Sequence, residues 1–241
     1  MSIDIEKIYV LHYTKLKERK ERLDKMFERF GIDVEYFLDY DQEDLTPDII
    51  NEYYNPDPEI YKNTIDQAYG VRTAPFRELN IAQISCTIKH YHCIKKVAEN
   101  CSEYGLVLED DVIFVDGFVE KCNSFLEATP SDWDVIFMGC CANLRIPPQY
   151  LQPSVCAYKV GAPAGRGGDS YILKKSAAEK IASTMKPFVT ISDWQLTYEL
   201  FRHDLNVYWW EPPLVLQGSE NGVYKTTLND DHHREIIGGQ T

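Results

Sequence analysis

Short apolar runs alternate with longer segments in which apolar side chains recur every three or four positions, and this alternation restricts the fold more than any other feature of the chain. Residues 5–12 read as a buried strand, carrying Ile8, Tyr9, Val10 and Leu11. In residues 15–30 Leu16, Leu23, Met26, Phe27 and Phe30 recur at helical spacing among charges, and Gly31 ends that helix. Val34, Tyr36 and Leu38 alternate through a second strand at 33–39. Strand, helix, strand is a βαβ unit, which starts a parallel sheet and places ligand chemistry at the carboxyl ends of the strands. The pattern continues with a helical stripe of Ile84, Ile88, Tyr91, Ile94 and Ala98 over 80–100, then the apolar run 105–108. Phe118, Cys122, Phe125 and Leu126 mark a further helix, followed by strands at 133–138, 171–173 and 207–210, with Pro212-Pro213 stopping the last. Ser176 with Glu179 and Ser192 with Gln195 have capping-box spacing and predict two helix starts. The expectation is an α/β fold with a mostly parallel central sheet flanked by helices.

The 241 residues fit a single domain. Residues 41–80, rich in Asp, Glu, Asn, Pro and Tyr and without a sustained period, are expected to form an irregular excursion. The polar stretch from 218 onward is expected to be a disordered tail or one ordered by a ligand. Twenty-five Lys plus Arg against 38 Asp plus Glu give a formal charge of −13, which repels phosphate backbones and anionic lipid headgroups, so nucleic acid is excluded as the main partner. No apolar run approaches the roughly 18 residues of a transmembrane segment, and the first residues lack the basic and apolar regions of a secretory signal, so a cytoplasmic location is expected. The seven cysteines are odd in number and several lie in apolar patterns, which predicts free thiols; Cys140-Cys141 lacks the spacing of a zinc site.

The strand ending Leu106-Val107-Leu108 runs into Glu109-Asp110-Asp111. If the strand continues, Glu109 and Asp111 share one side and Asp110 the other. Such carboxylates are hard oxygen ligands suited to Mg²⁺ or Mn²⁺, and an ion there would hold a diphosphate on a protein whose net charge repels one. An acidic turn leaving the core for water accounts for the spacing equally well. The glycine-rich run 161–169 lacks the Gly-Lys-Ser/Thr ending of a phosphate loop and precedes a strand instead of following one. It reads as a lid, a sugar-binding loop or an ordinary surface loop.

Together, Ala82-Gln83-Ile84-Ser85-Cys86-Thr87-Ile88-Lys89-His90, a helix, and Leu106-Val107-Leu108-Glu109-Asp110-Asp111-Val112 resemble the pattern of glycosyltransferase family 25, in which an "EIGCxxSH" helix precedes an "LVxEDD" strand. Ile8-Tyr9-Val10-Leu11 with Arg19 and Arg22, Gly168-Asp169-Ser170-Tyr171-Ile172-Leu173 with Ala177, Asp193, and 212–217 follow in the family's order. Gln83 and Ser85 depart from it, standing where the family has Glu and Gly. The resemblance implies a GT-A type nucleotide-sugar-binding fold, a UDP-sugar donor, Mn²⁺ or Mg²⁺ at the acidic motif, and inverting transfer of a hexose to a glycan or glycoconjugate hydroxyl.

On that resemblance and on strand geometry Asp111 and Glu109 are the metal ligands, and Asp110 or Glu109 contacts the donor ribose or the metal; His232 or His233 either closes over the ion, neutral imidazole suiting Mn²⁺, or is an uninvolved histidine of the tail. Leu11, His12, Asp39, Tyr40 and Gln217 are placed with the nucleotide, together with Asp41. Gly168 and Asp169 are placed near donor hydroxyls. Arg19 would meet phosphate, although it and Arg22 also read as part of a solvated helix face. Asp193 is the candidate base for an inverting attack, or an acid that stabilises a helix N-terminus. His90 reads as a buried, hydrogen-bonded histidine, and Trp194, Trp209 and Trp210 as core or as stacking platforms for sugars. The same acidic motif would also serve a sugar nucleotidyltransferase or phosphohydrolase, and the chain would also suit a silent nucleotide- or glycan-binding protein or a purely structural one.

Overall fold

The computed structural model describes residues 2–69, 75–219 and 221–223. The elements in order are β1 (Lys7–Leu11), α1 (Lys17–Phe30), β2 (Glu35–Phe37), α2 (Pro47–Tyr53), α3 (Pro58–Tyr69), α4 (Ile81–Asn100), β3 (Tyr104–Leu108), β4 (Val112–Phe114), α5 (Phe118–Ala128), β5 (Val135–Phe137), β6 (Ala157–Val160), β7 (Ser170–Lys174), α6 (Lys175–Thr184), α7 (Ser192–Arg202), β8 (Val207–Trp210) and β9 (Val215–Gln217). The central sheet has the order β2-β1-β3-β7-β5-β8-β6, with β4 and β9 forming a separate pair. β2, β1, β3, β5 and β8 run in one direction and β7 and β6 in the other, so the sheet is the expected mostly parallel one.

Alternation along the strands divides the core. Tyr9, Leu11, Val107, Val135, Phe137, Tyr171 and Leu173 face α4, α6 and α7, while Ile8, Val10, Leu106, Leu108, Ile136 and Ile172 face α1 and α5. Helices on both faces explain why these strands read as continuous apolar runs. Gly31 closes α1 in the left-handed conformation, φ 63°.

Two expectations are corrected. Residues 41–80 hold α2 and α3: the Thr46 side chain accepts from Ile49 N–H ahead of Pro47, and Asp57 Oδ1 accepts from the N–H groups of Glu59 (2.8 Å) and Ile60 (2.9 Å) around Pro58. The Asp, Thr and Pro density there is helix-start chemistry on short helices. The capping boxes at Ser176 and Ser192 do not form. α6 follows β7 without a loop, so Ser176 already lies inside the helix, and Gln195 Oε1 accepts from Val189 N–H (3.1 Å) while its amide N–H donates to Glu199 (3.0 Å). The capping box that does form joins Asn80 and Gln83 at the start of α4. Of the stretch expected to form a tail, residues 218–219 are held, Gly218 N–H donating to the Asp111 carbonyl (2.7 Å) and Ser219 N–H to Asp111 Oδ2 (3.2 Å), while 220 and 224–241 lie outside the described residues.

Candidate active site

At the carboxyl ends of β1 and β3 the chain leaves the sheet and opens a cleft enclosing about 730 Å³ including its mouth, between the start of α1, one face of α4 and the turn after β3. Ala82, Ser85, Cys86 and Lys89 line it at helical spacing from α4; Leu11, His12, Tyr13 and Arg19 line it from β1 and α1; Glu109, Asp110, Asp111, Gln217 and Ser219 complete it.

Residues 110–111 form a turn, not a continuation of β3, so strand alternation ends at Leu108 and the three carboxyls fan toward three elements. Asp110 turns to β1 and α1. His12 Nδ1 donates to its Oδ2 (2.8 Å), Tyr13 N–H to the same oxygen (3.2 Å) and Arg19 Nη1 to Oδ1 (2.8 Å). Burial opposes its ionisation, but the His12 hydrogen bond and the Arg19 guanidinium outweigh burial and hold the carboxyl below its usual range. Glu109 turns to α4, where Oε1 lies 3.1 Å from His90 Nε2, while Oε2 accepts from Gln217 Nε2 (3.4 Å). Burial, then the charges of Asp111, Asp110 and Asp193, push the Glu109 carboxyl well up. Asp111 turns to the segment after β9; burial raises its carboxyl against the pull of the Ser219 bond and Arg19.

Behind the turn, Asp169 is 1% exposed and its carbonyl accepts from Glu109 N–H (2.9 Å). Burial and the Glu109 charge raise its carboxyl well above the usual range. Gly168 leaves room for this packing: a Cβ there would stand 2.9 Å from Glu109 Oε1 and 3.1 Å from His90 Nε2. The glycine-rich loop is not free to act as a lid, because Arg166 is fully buried in an ion pair with Glu211 and donates to the carbonyls of Leu144 (2.7 Å) and Trp210 (2.8 Å).

The other expected residues divide. Tyr40 sits at φ 62° and its carbonyl accepts from Ser85 Oγ (2.6 Å), while Asp39 is exposed and outside the cleft lining. Asp41 is a structural tie, accepting from Lys89 Nζ (2.7 Å) and Thr14 N–H (3.1 Å). Asp193 stands in the first turn of α7, its Oδ1 accepting from Trp194 N–H (3.0 Å); it does not line the cleft. Its neighbour Ser192 lies 4.0 Å from Cys86 Sγ, and its charge is felt by Glu109 and His90. Arg22 is exposed. Trp210 is core, and Trp209 gives its indole N–H to the Ala164 carbonyl (2.8 Å) beneath the Arg166 guanidinium. His232 and His233 lie outside the described residues. Lys89, which donates to both Asp41 and the His12 carbonyl (2.8 Å), was missed as an organising residue. Its signal was a lysine on the same helix face as Ser85 and Cys86 in an otherwise buried helix.

The profile described as glycosyltransferase family 25 (LPS biosynthesis protein) matches residues 5–196. The chain belongs to glycosyltransferase family 25. A family member from Aedes aegypti is 25% identical over 144 residues, 56% of this chain and 21% of that protein. Procollagen galactosyltransferase 1-B of Xenopus laevis is 33% identical over 66 residues, 26% of this chain and 11% of its own. This family 25 chain therefore spans only about a fifth or less of the length of these relatives. Among solved structures, the inositol-1-phosphate CTP transferase of T. maritima aligns over 99% of this chain and 97% of its own at 9% identity, with a TM-score of 0.44. Among the described residues, no helix of this family 25 chain is long and apolar enough to cross a membrane.

The cleft fits a hard divalent cation. Among the described residues, Asp111 Oδ1, Asp169 Oδ1 and Gln217 Oε1 are buried oxygens without a hydrogen-bond partner, a costly state that a cation relieves. Asp111 and Gln217 line the cleft itself, and Mg²⁺-type ions are commonly held by one or two carboxylates plus substrate phosphates.

Proposed function

We propose that this family 25 chain transfers a hexose from a UDP-sugar to a hydroxyl of a glycan or glycoconjugate, with inversion at the anomeric carbon and dependence on Mn²⁺ or Mg²⁺ held in a GT-A type site. The observation that carries the reading is the orphaned, buried Asp111 Oδ1 in a cleft at the carboxyl ends of β1 and β3. Support for a hexose comes from the Xenopus relative, a galactosyltransferase by name.

Asp111 and Gln217 would hold the ion, with Glu109 within reach of it; the bound cation supplies neutralisation of the diphosphate leaving group. Asp110 fixes the opposite wall by locking His12 and Arg19, so the donor meets a preorganised surface. Leu11 would take the nucleoside side of the cleft, with Tyr40 behind the lining and tied to it through Ser85, and Gly168 and Asp169 hold the turn from behind. Asp193 is the proposed base: it stands outside the cleft lining at the start of α7, near enough for its charge to be felt at Glu109 and His90, so the acceptor would approach from the α7 side. The test is UDP release from a panel of UDP-sugars with a glycan acceptor, with and without Mn²⁺. Cation-dependent release of UDP and glycoside is expected; release of sugar phosphate instead would mean nucleotidyl or phosphohydrolase chemistry.

A further inference from the structure

A second group of metal-ligating atoms lies deeper in the cleft, toward α4. Cys86 Sγ, a His90 ring nitrogen and a Glu109 carboxylate oxygen lie within 4.8 Å of one another. We propose that Cys86, His90 and Glu109 form a binding site for a thiophilic divalent cation, of the class Zn²⁺, Co²⁺ or Cd²⁺, distinct from the hard-cation position at Asp111. Sulfur, imidazole and carboxylate are zinc donors, and three protein ligands with an open fourth position is the arrangement of an accessible zinc site.

Three features favour the site over a chance encounter. Cys86 and His90 are four residues apart on α4, which puts both on one helix face. Glu109, the first residue after β3, approaches that face until its Oε1 is 3.1 Å from His90 Nε2. Donor atoms around a tetrahedral zinc are separated by roughly 3.3–3.8 Å given its bond lengths, so this edge is already short enough and only the thiol has to close in. The other ring nitrogen of His90, Nδ1, is 2.9 Å from the hydroxyl of fully buried Tyr171. That contact fixes the ring as an outer partner fixes a metal-bound histidine. On binding, the Cys86 thiol and the Glu109 carboxyl release their protons to solvent, and the His90 proton resides on Nδ1, donated to the Tyr171 oxygen, leaving Nε2 for the metal. Cys86 and Glu109 line the cleft, so the ion has a path in.

The site stands whether or not the chain transfers sugar, because its readout is spectroscopic. Metal-free protein titrated with Co²⁺ under reducing, oxygen-free conditions is expected to develop a thiolate-to-cobalt absorption that saturates at one equivalent and is displaced by Zn²⁺. The band should vanish in Cys86→Ser and persist in Asp111→Asn. In the wild-type protein loaded with one equivalent of Zn²⁺, X-ray absorption should show one sulfur at roughly 2.3 Å and nitrogen or oxygen ligands at roughly 2.0–2.2 Å. No band in the wild type, a band unchanged by Cys86→Ser or lost in Asp111→Asn, or a zinc shell with no sulfur or more than one overturns the proposal. The wild-type spectrum decides even where a variant fails to fold.

Discussion

Removing Glu211 should unfold this protein more readily than removing any exposed charge. The Glu211 carboxylate accepts from Arg145 Nε (2.9 and 3.0 Å), Ile146 N–H (3.1 Å) and the buried Arg166 guanidinium. The two arginines differ in what they can do when the carboxylate goes. Arg145 is 42% exposed and can turn to water, whereas Arg166 is 0% exposed and keeps only the Leu144 and Trp210 carbonyls. Glu211→Ala therefore strands a buried cation, at about 3–5 kcal/mol, a large part of a total stability of roughly 5–15 kcal/mol. At roughly 2–4 °C per kcal/mol for a chain of this size, Tm should fall by about 6–20 °C. Arg145→Ala, an exposed partner, should cost about 1 kcal/mol or less. Urea unfolding of the single variants and of Glu211→Ala in an Arg166→Met background checks the reasoning, because with no guanidinium to strand most of the cost should disappear. Equal losses for Glu211→Ala and Arg145→Ala, or an undiminished loss beside Met at 166, would refute it.

Asp111→Asn should lower cation-dependent UDP release by about 100-fold or more, the scale of losing a positioned charge stabiliser, while leaving unfolding in metal-free buffer little changed, since Oδ1 has no partner to lose; undiminished turnover would remove Asp111 from the cation site. Gly168→Ala has no backbone penalty to overcome but places a methyl 2.9 Å from Glu109 Oε1, so calorimetry should show a loss of roughly 1–3 kcal/mol and UDP release should fall; a variant indistinguishable from wild type would show that the contact yields freely. His92 is stacked between Phe37 (5.2 Å) and Tyr40 (4.8 Å), and burial, then Lys95 and Lys186, lower its pKa to about 4. The unfolded chain takes this proton near pH 6.5 and the native state does not, so its contribution to stability is complete above pH 6.5 and is lost as pH falls toward 4. The full shift corresponds to about 3.4 kcal/mol, which partial exposure reduces to roughly 1–2 kcal/mol; His92→Phe should flatten the pH 7.5-to-4 stability difference by that amount in urea titrations, and an unchanged slope would contradict the assignment.

The sheet was legible because its strands are buried on both faces and its long helices carry a single apolar stripe; α1 and α4 fall within a residue or two of where their periodicity puts them. What escaped is short. Three- and four-residue strands such as β4, β6 and β9 are too brief to display alternation, and α2 and α3 open on prolines that read as breaks when seen without their caps. The candidate site was partly legible for a related reason. Glu109-Asp110-Asp111 announces itself by composition, but which way each carboxyl faces depends on the turn at 110–111 and on partners roughly 20 to over 100 positions away. In the sequence Lys89 and Cys86 read only as parts of a helix, since nothing local distinguishes a polar side chain facing a cleft from one facing water.

Three consecutive acids would ordinarily repel one another, and the turn resolves this by giving each a different chemistry. Asp110 is neutralised from within the protein by His12 and Arg19, so its charge is fixed and unavailable. Glu109 is recessed against His90, where burial favours the neutral form. Asp111 is left with one oxygen on a backbone N–H and the other on nothing. An arrangement selected for stability alone would have paired or replaced that third carboxyl, because an unsatisfied buried oxygen costs roughly 1–3 kcal/mol. The arrangement makes physical sense if the missing partner is a ligand: the chain accepts a local loss of stability at Asp111 in the free state and recovers it when a cation and the phosphates it carries enter the cleft.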